Sequence, residues 1–436
     1  MNCLTGFLDV FLPVRFWEYY QGSAFQIVTN SLEVLFLWIA LSQKRLNLMM
    51  LKKIILSFLL LQCSCQKQVT ISNNLGVPIT IEQAKQALAK GVNLSNWFND
   101  YSNPAEYGNH FSSTDMQRIK AAGFTYIRLP IASTILFNES SPSELKPSPL
   151  GFIDQAIQSA IQVGLAVVLD PIHNSNNDFE KKLATVSGFA DKVSIYWQAV
   201  AKYFSKYNPD QLFFEIYNEP HVGTSGFANG VSKSWWWPMQ GRFIHAIRQV
   251  TINHYLIAGA EGWNNRNELI SNIPYKEENV IYNFHFYDPF LFTHQGASWA
   301  GWPPAIEAAG VPYPSSPNAV DSLIKATPHQ ELKDALTWYG SQRYNLDTLV
   351  SWVKPVANWA KKYNVMVTCN EFGSYKPYSP RKSRLNWIND MRKALETNQV
   401  VWAIWEYDEG FGWINYTNNN RSQPTIDREI LTALGL

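Results

Sequence analysis

Charge is what this 436-residue chain has little of. Asp, Glu, Lys and Arg make up 16% of it, and 36 basic against 35 acidic side chains leave a formal net charge of +1. Without a basic excess the chain lacks the electrostatic footprint of a nucleic-acid binder, so no nucleic-acid partner is expected. Cysteine is equally scarce, with four residues, which excludes a disulfide-built scaffold. The apolar stretches Leu32–Leu41 and Ile54–Leu61 both fall short of the ~20 residues that a bilayer-spanning helix needs. Repeats and low-complexity linkers are missing as well. Aromatic residues are in surplus: 24 Phe, 21 Tyr and 17 Trp, 14% of the chain, within a hydrophobic content of 46%. Such a composition builds a large packed core and is incompatible with intrinsic disorder.

The N-terminal region reads as processing signal rather than fold. Residues 49–66, MMLKKIILSFLLLQCSCQ, place Lys52 and Lys53 before a short apolar run and then small or polar residues, the order of a secretory signal peptide. Cys63 and Cys65 follow that run directly, so attachment to a membrane through a lipidated Cys63 or Cys65 and a plain cleaved signal both remain open. Residues 1–48 then lie upstream of a signal and are expected to be untranslated or outside the fold. The expected location is exported: extracellular, periplasmic or tethered at the cell surface.

Beyond this, residues 67–436 are expected to form a single α/β domain. Short β-branched or aromatic runs recur at Gly91–Phe98, Thr125–Pro130, Leu165–Asp170, Leu212–Asn218, Tyr255–Glu261, Val280–Tyr287, Val365–Glu371 and Val400–Glu406. Most are continuously apolar, as parallel strands covered on both faces are. Helical periodicity separates them, for example over Asp191–Tyr207 and Asp347–Tyr363. Eight strands alternating with helices predict a (β/α)8 barrel. The alternative, an open doubly wound sheet, lacks the G-x-G-x-x-G turn after its first strand. One connection, 289–346, is rich in Pro, Gly and Ser and reads as a long functional loop.

In a parallel barrel, chemistry sits where strands end. The fourth run ends Glu215-Ile216-Tyr217-Asn218-Glu219-Pro220-His221 and the seventh ends Asn370-Glu371-Phe372-Gly373. Two carboxyl groups at the rim from opposite strands can face each other across the barrel mouth. Such a pair suits glycoside hydrolysis, one group protonating the leaving oxygen while the other attacks or activates water. Arg128, His173, His285, Tyr287 and Trp405 sit at other strand ends. A metal-dependent hydrolase would need clustered ligands such as His-x-His after the first strand. That strand reads Val92-Asn93-Leu94-Ser95-Asn96-Trp97, so neither a metal nor another cofactor is expected.

These residues carry a family resemblance. Asn218-Glu219-Pro220 after an apolar strand, with Glu371-Phe372-Gly373 downstream, resembles glycoside hydrolase family 5, the cellulase family of clan A. Tyr126-Ile127-Arg128-Leu129-Pro130, Asn283-Phe284-His285-Phe286-Tyr287, Phe292–Trp299 and Trp402-Ala403-Ile404-Trp405-Glu406 follow the family's order. The resemblance implies a retaining double displacement with Glu219 as acid/base and Glu371 as nucleophile. Arg128 and Tyr287 would donate to Glu371 and keep it ionised, and the charge of Glu371 would raise the proton affinity of Glu219. Asn218 would bind the sugar 2-OH, His173 and His285 would orient the catalytic groups, and Trp405 would floor the sugar site. The family commonly shows Asp-x-His after the third strand, whereas Asp170-Pro171-Ile172-His173 has one extra residue, leaving His173 or Asn174 as the participant.

Aromatic rings at or after strand ends, among them Trp97, Trp263, Trp299, Trp302, Trp405 and Trp413, with Trp235–Trp237 on the same rim, suit the apolar faces of a neutral sugar polymer. Trp97 and Trp299 are accordingly expected to touch or support substrate. Trp197, Trp352, Trp359 and Trp387 fall within helical patterns and read as packing residues. His110, His221 and His294 are read either as solvated loop residues or as cleft-lining ones. The expected substrate is a β-1,4-glucan cut internally by a monomeric enzyme. Mannan, β-1,3-glucan or a short oligosaccharide are the alternatives within the class, and a non-catalytic carbohydrate-binding barrel is the alternative outside it.

Overall fold

The computed structural model describes residues 78–99, 107–108, 110–173, 178–226, 228–416, 420–421 and 423–436. The signal-like segment 49–66 with Cys63 and Cys65, the region 1–48, and Asn174 lie outside the described residues. Eight parallel strands close into a barrel in chain order: β1 Lys90–Asn93, β2 Tyr126–Ala132, β3 Ala166–His173, β4 Leu212–Glu215, β5 Leu256–Gly259, β6 Val280–Phe286, β7 Met366–Phe372 and β8 Val401–Ile404. β1 and β8 complete the ring through pairs such as Gly91 with Ala403. All eight strands expected from the apolar runs are present, and the helices expected near 191–207 and 347–363 form over Phe189–Phe204 and Leu346–Tyr363.

Strand alternation sorts each strand's side chains between two environments. Ile127, Leu129, Val167, Leu169 and Phe214 join the main core cluster together with helix residues such as Trp197, Trp359 and Trp387. The other parity points into the barrel, where Tyr126, Val168, Phe213, Ile257, Ile281 and Met366 form a separate apolar layer. The Tyr126 ring lies so close to β1 that a Cβ at Gly91 would collide with it. Two residues further along, the same inward parity becomes polar: Asn93, Arg128, Asp170, Glu215, Asn283 and Thr368 are all fully buried, as is Asn370 two residues beyond Thr368. This polar layer lies above the apolar plug and supports the barrel mouth.

The 289–346 connection differs from the loop expected. It contains helices at Phe290–Thr293, Pro303–Glu307, Pro317–Ala326 and Gln330–Gln342. Pro303 and Pro317 occupy first helical turns, and Ser316 caps the third of these helices by accepting from the Ala319 amide. Proline in these positions starts helices, because its missing N–H belongs to the turn that has no intrahelical acceptor.

Two ladder irregularities shape the rim. Pro130 pairs with Asp170 but Ala132 pairs with His173, so β3 takes up one extra residue against β2. Phe284 pairs with Cys369 but His285 pairs with Glu371, which places Asn370 in a second bulge. A bulge re-aims the side chains that follow it. The extra residue of Asp170–His173 is thereby absorbed, and His173 reaches the cleft.

Candidate active site

The strand ends open into a cleft of about 1000 Å³ whose lining includes Asn218, Glu219, His285, Tyr287, Glu371 and Trp405. Arg128 organises its base. Fully buried, it donates through Nε and Nη2 to the two oxygens of Glu215 (2.7 and 2.9 Å), through Nη1 to Glu371 Oε1 (2.7 Å) and Asn93 Oδ1 (3.0 Å), and through Nη2 to Asp170 Oδ2 (3.1 Å) and Asn218 Oδ1 (2.7 Å). A buried guanidinium needs this density of anionic partners, because unpaired burial of a charge is costly. Glu215 itself is pushed up to about 7, chiefly by its burial. Asn370, for which the sequence suggested no role, donates from its bulge to Glu215 Oε2 (2.9 Å).

This arrangement orients two cleft groups at once. Glu371 also accepts from the Tyr287 hydroxyl at Oε2 (2.9 Å), so each of its oxygens has a donor. Asn218 presents Oδ1 to Arg128, which turns its amide nitrogen toward the cleft.

Glu219 has different surroundings. His285 Nδ1 lies 2.6 Å from Glu219 Oε1 and 3.5 Å from Glu371 Oε2. The other ring nitrogen, Nε2, receives the amide groups of Asn264 and Asn283, each at 3.2 Å. With Nε2 accepting, the ring proton sits on Nδ1 and is donated to Glu219. Burial, aided by repulsion from Arg128 and His173, pushes His285 down to about 4, so the ring is neutral near pH 7. Glu219 is pushed up to about 7 by burial first, with a smaller contribution from the charge of Asp170. Loss of solvent at this rim position is the first cause. His173 bonds to Asp170 Oδ2 at 3.2 Å, and that contact raises its pKa against the effect of burial.

Oxygens of Glu219 and Glu371 lie within 4.8 Å of each other, with the proton-bearing nitrogen of His285 between them. The three groups have metal-ligand spacing, but His285 presents an N–H there instead of a lone pair. Two carboxyl groups this close, one solvent-depleted and protonatable near neutrality and the other held by two donors, can divide acid and nucleophile roles across one bond. The rim beside Glu371 is closely packed. Gly373 has no room for a Cβ, which would collide with the Trp405 carbonyl, and the Trp405 ring lies parallel to His173 at 6.0 Å.

Several sequence expectations are redistributed. Trp299 lines the cleft and is 59% exposed, as do Trp263, His221 and His294. Trp97 is a correction: its ring is buried against Phe98 and its Nε1 donates to the Tyr107 carbonyl (2.7 Å), so it packs the wall instead of meeting substrate. Trp413 and Trp236 are fully buried, and His110 and Trp302 do not line the cleft. Trp197, Trp359 and Trp387 pack in the core as expected from their helices.

Glu406 was not singled out from sequence as a site residue, yet it lines the cleft beside Trp405. Ser95 donates to it, and burial pushes it up to about 8. Its neighbour Asp408 is buried and paired with Arg421 (2.8 Å), whereas Glu409 reaches the cleft. The available sequence signal for Glu406 was its position just past β8.

Comparison with known proteins agrees with this geometry. The family described as Cellulase (glycosyl hydrolase family 5) matches residues 81–410. Endoglucanase 3 of Fibrobacter succinogenes is 27% identical over 366 residues, covering 80% of this chain and 53% of that protein, so the chain spans about half the length of that relative. Endoglucanase C of Acetivibrio thermocellus is 25% identical over 79% of this chain and 97% of its own length. Among solved structures, endoglucanase Cel5A of Thermotoga maritima superposes with a TM-score of 0.64 at 25% identity, covering 81% of this chain and 98% of that one. The same Thermotoga enzyme has been solved in complex with cellobiose, and there matches with a TM-score of 0.63 at 25% identity over 81% of this chain and 99% of that one.

Proposed function

The chain belongs to glycosyl hydrolase family 5, and from that premise we propose that it cuts β-1,4-glucan chains internally, by a double displacement that retains the anomeric configuration. The observation that carries this reading is the Glu219–Glu371 approach within 4.8 Å. Retaining enzymes hold their carboxyl groups ~5–5.5 Å apart, whereas inverting enzymes leave ~6.5–9.5 Å for a water. Glu371 attacks the anomeric carbon while Glu219 delivers its proton to the departing glycosidic oxygen. Glu219 then removes a proton from the water that releases the glycosyl group from Glu371. Asn218 meets the 2-OH with the amide nitrogen that Arg128 has oriented, and Trp405 stacks under the sugar ring. The endoglucanase relatives, and the neighbour holding cellobiose, support glucan as the substrate. All of these groups come from one chain, so the chemistry needs no residue from a second subunit.

The test uses carboxymethylcellulose and a cello-oligosaccharide. Viscosity should fall well before reducing ends accumulate, and proton NMR of the first product should show the β-anomer. An α-anomer would refute retention, and faster release of sugar from mannan or a β-1,3-glucan would reassign the substrate.

Export belongs to the same reading. The charged-then-apolar order of residues 49–66 supports it, and so does a polymeric substrate, which is met outside the cell membrane. Mass spectrometry of the mature N-terminus should find no peptide from residues 1–48; such a peptide would overturn the reading.

A further inference from the structure

Glu371 and Glu219 are held by different means. Glu371 lies inside β7 and is paired with His285 in the sheet ladder. Glu219 lies beyond the end of β4, which closes at Glu215. The last backbone contact to the sheet before Glu219 is the Asn218 N–H on the Ile172 carbonyl of β3 (3.2 Å), so the chain from Glu219 onward must be held by something else.

Two buried carboxyl groups lie directly behind this segment, and neither lines the cleft. Glu180, from the helix Asp178–Thr185 that follows β3, accepts the backbone N–H groups of both His221 and Val222 through Oε1, each at 2.7 Å. His221 in turn has its Nδ1 2.6 Å from the carbonyl oxygen of Glu219 and 3.4 Å from Glu180 Oε2. Glu261, just past β5, accepts the Thr224 N–H at Oε1 (2.9 Å) and the Trp235 indole N–H at Oε2 (2.8 Å). The Trp263 N–H closes the arrangement by donating to the Pro220 carbonyl (3.1 Å). A carboxyl group buried to 1% exposure, as Glu180 is, is expensive to retain unless its hydrogen bonds do work that an apolar residue could not.

We propose that Glu180 and Glu261 are positioning residues for the acid/base: together they clamp the segment 220–224 and so hold the Glu219 carboxyl over the leaving oxygen. Neither touches substrate. The inference rests on Glu219 being the acid, and it adds the means by which that acid is kept in register. Proton delivery depends steeply on placement, since a misplacement of ~1 Å can cost about 100-fold in rate. Nucleophilic attack by Glu371, anchored in its own ladder, does not depend on this clamp.

The signature is therefore a leaving-group dependence. Phenyl β-cellobioside needs its leaving oxygen protonated, whereas 2,4-dinitrophenyl β-cellobioside departs without help. Glu180→Met should lower kcat/KM on the phenyl glycoside by ~10–100-fold while changing the dinitrophenyl glycoside less than about threefold. Glu180→Gln keeps an acceptor for both amides and should restore the phenyl rate to within about threefold of the parent. Equal losses on both substrates, or no loss on either in a folded variant, would overturn the proposal. Circular dichroism establishes folding. Should Glu180→Met not fold, Glu261→Gln, which sets an amide against the Trp235 N–H or the Thr224 N–H, decides by the same ratio. Glu219→Ala assayed alongside separates this inference from the reading beneath it: if it lost both substrates equally, the acid assignment would fall and the clamp with it.

Discussion

Glu371→Ala should lower kcat on soluble glucan by about 10⁴-fold or more, because the step it performs has no substitute in the cleft. Both oxygens of Glu371 are committed, Oε1 to Arg128 at 2.7 Å and Oε2 to Tyr287 at 2.9 Å. Those two donors fix the carboxylate in the cleft, so removing the side chain deletes the attacking atom and leaves its holders without a partner. Alanine rather than glutamine is informative because it opens space for a small external nucleophile. With azide supplied, an aryl β-cellobioside carrying a good leaving group should be converted to the α-glycosyl azide. The inverted anomer identifies the missing group as the one that attacks carbon. A variant that kept more than about a tenth of the parental rate, or gave the β-azide, would remove Glu371 from this role.

The second large effect is at Glu219, where the loss should depend on the substrate. Glu219→Ala should reduce kcat/KM on cellulose chains by about 10²–10⁴-fold, the usual worth of a positioned general acid. The same variant should lose far less on a dinitrophenyl glycoside in the first step, and azide should then give the β-glycosyl azide, because Glu371 still forms the intermediate.

The pH profile adds an independent sign. Glu219 is pushed up to about 7 by its burial and must carry a proton to act. Activity is therefore present below that value and falls as pH rises through it, giving kcat/KM an alkaline limb near 7. That limb reports the free enzyme and should vanish in Glu219→Ala with the activated substrate. An alkaline limb that survived the substitution would assign it to another group, and the buried Glu406, pushed up to about 8, would be the next to replace.

The residues that chain order could reveal were those whose meaning is local. Apolar runs ending in Glu219 and Glu371 marked buried strands with a costly polar terminus, and the same logic marked Arg128, His285 and Tyr287. Glu215 stood in the fourth apolar run, but its partner was not legible there. Its two bonds to Arg128 connect positions 87 residues apart, and no periodicity encodes that pairing. Asp170 and Asn370 keep the inward parity of Val168 and Met366, but their partners Arg128 and Glu215 lie 42 and 155 residues away along the chain. Trp97 failed for the opposite reason. Its position after the first strand was read correctly, yet an indole at a strand end packs as readily against Phe98 as against a sugar.

Local order also misled over residues 289–346, where Pro303, Ser316 and Pro317 start helices. Glu180 and Glu261 carried no signal at all. One sits in a short helix and the other just past a strand, and each gains its meaning only from the N–H groups of a third segment.

By itself the sequence determined the alternation of eight apolar runs with helices, and hence a barrel with polar residues at one rim. It did so because burial of both strand faces requires continuous apolar runs, and this pattern is written along the chain. Tertiary structure alone decided which rim groups meet. It brought Glu219 and Glu371 within 4.8 Å, raised the proton affinity of Glu219 through partial burial, and joined Arg128 to three carboxyl groups on three different strands. Desolvation and hydrogen bonding act through space over a few ångströms, and the distances between these strands along the chain carry no record of either.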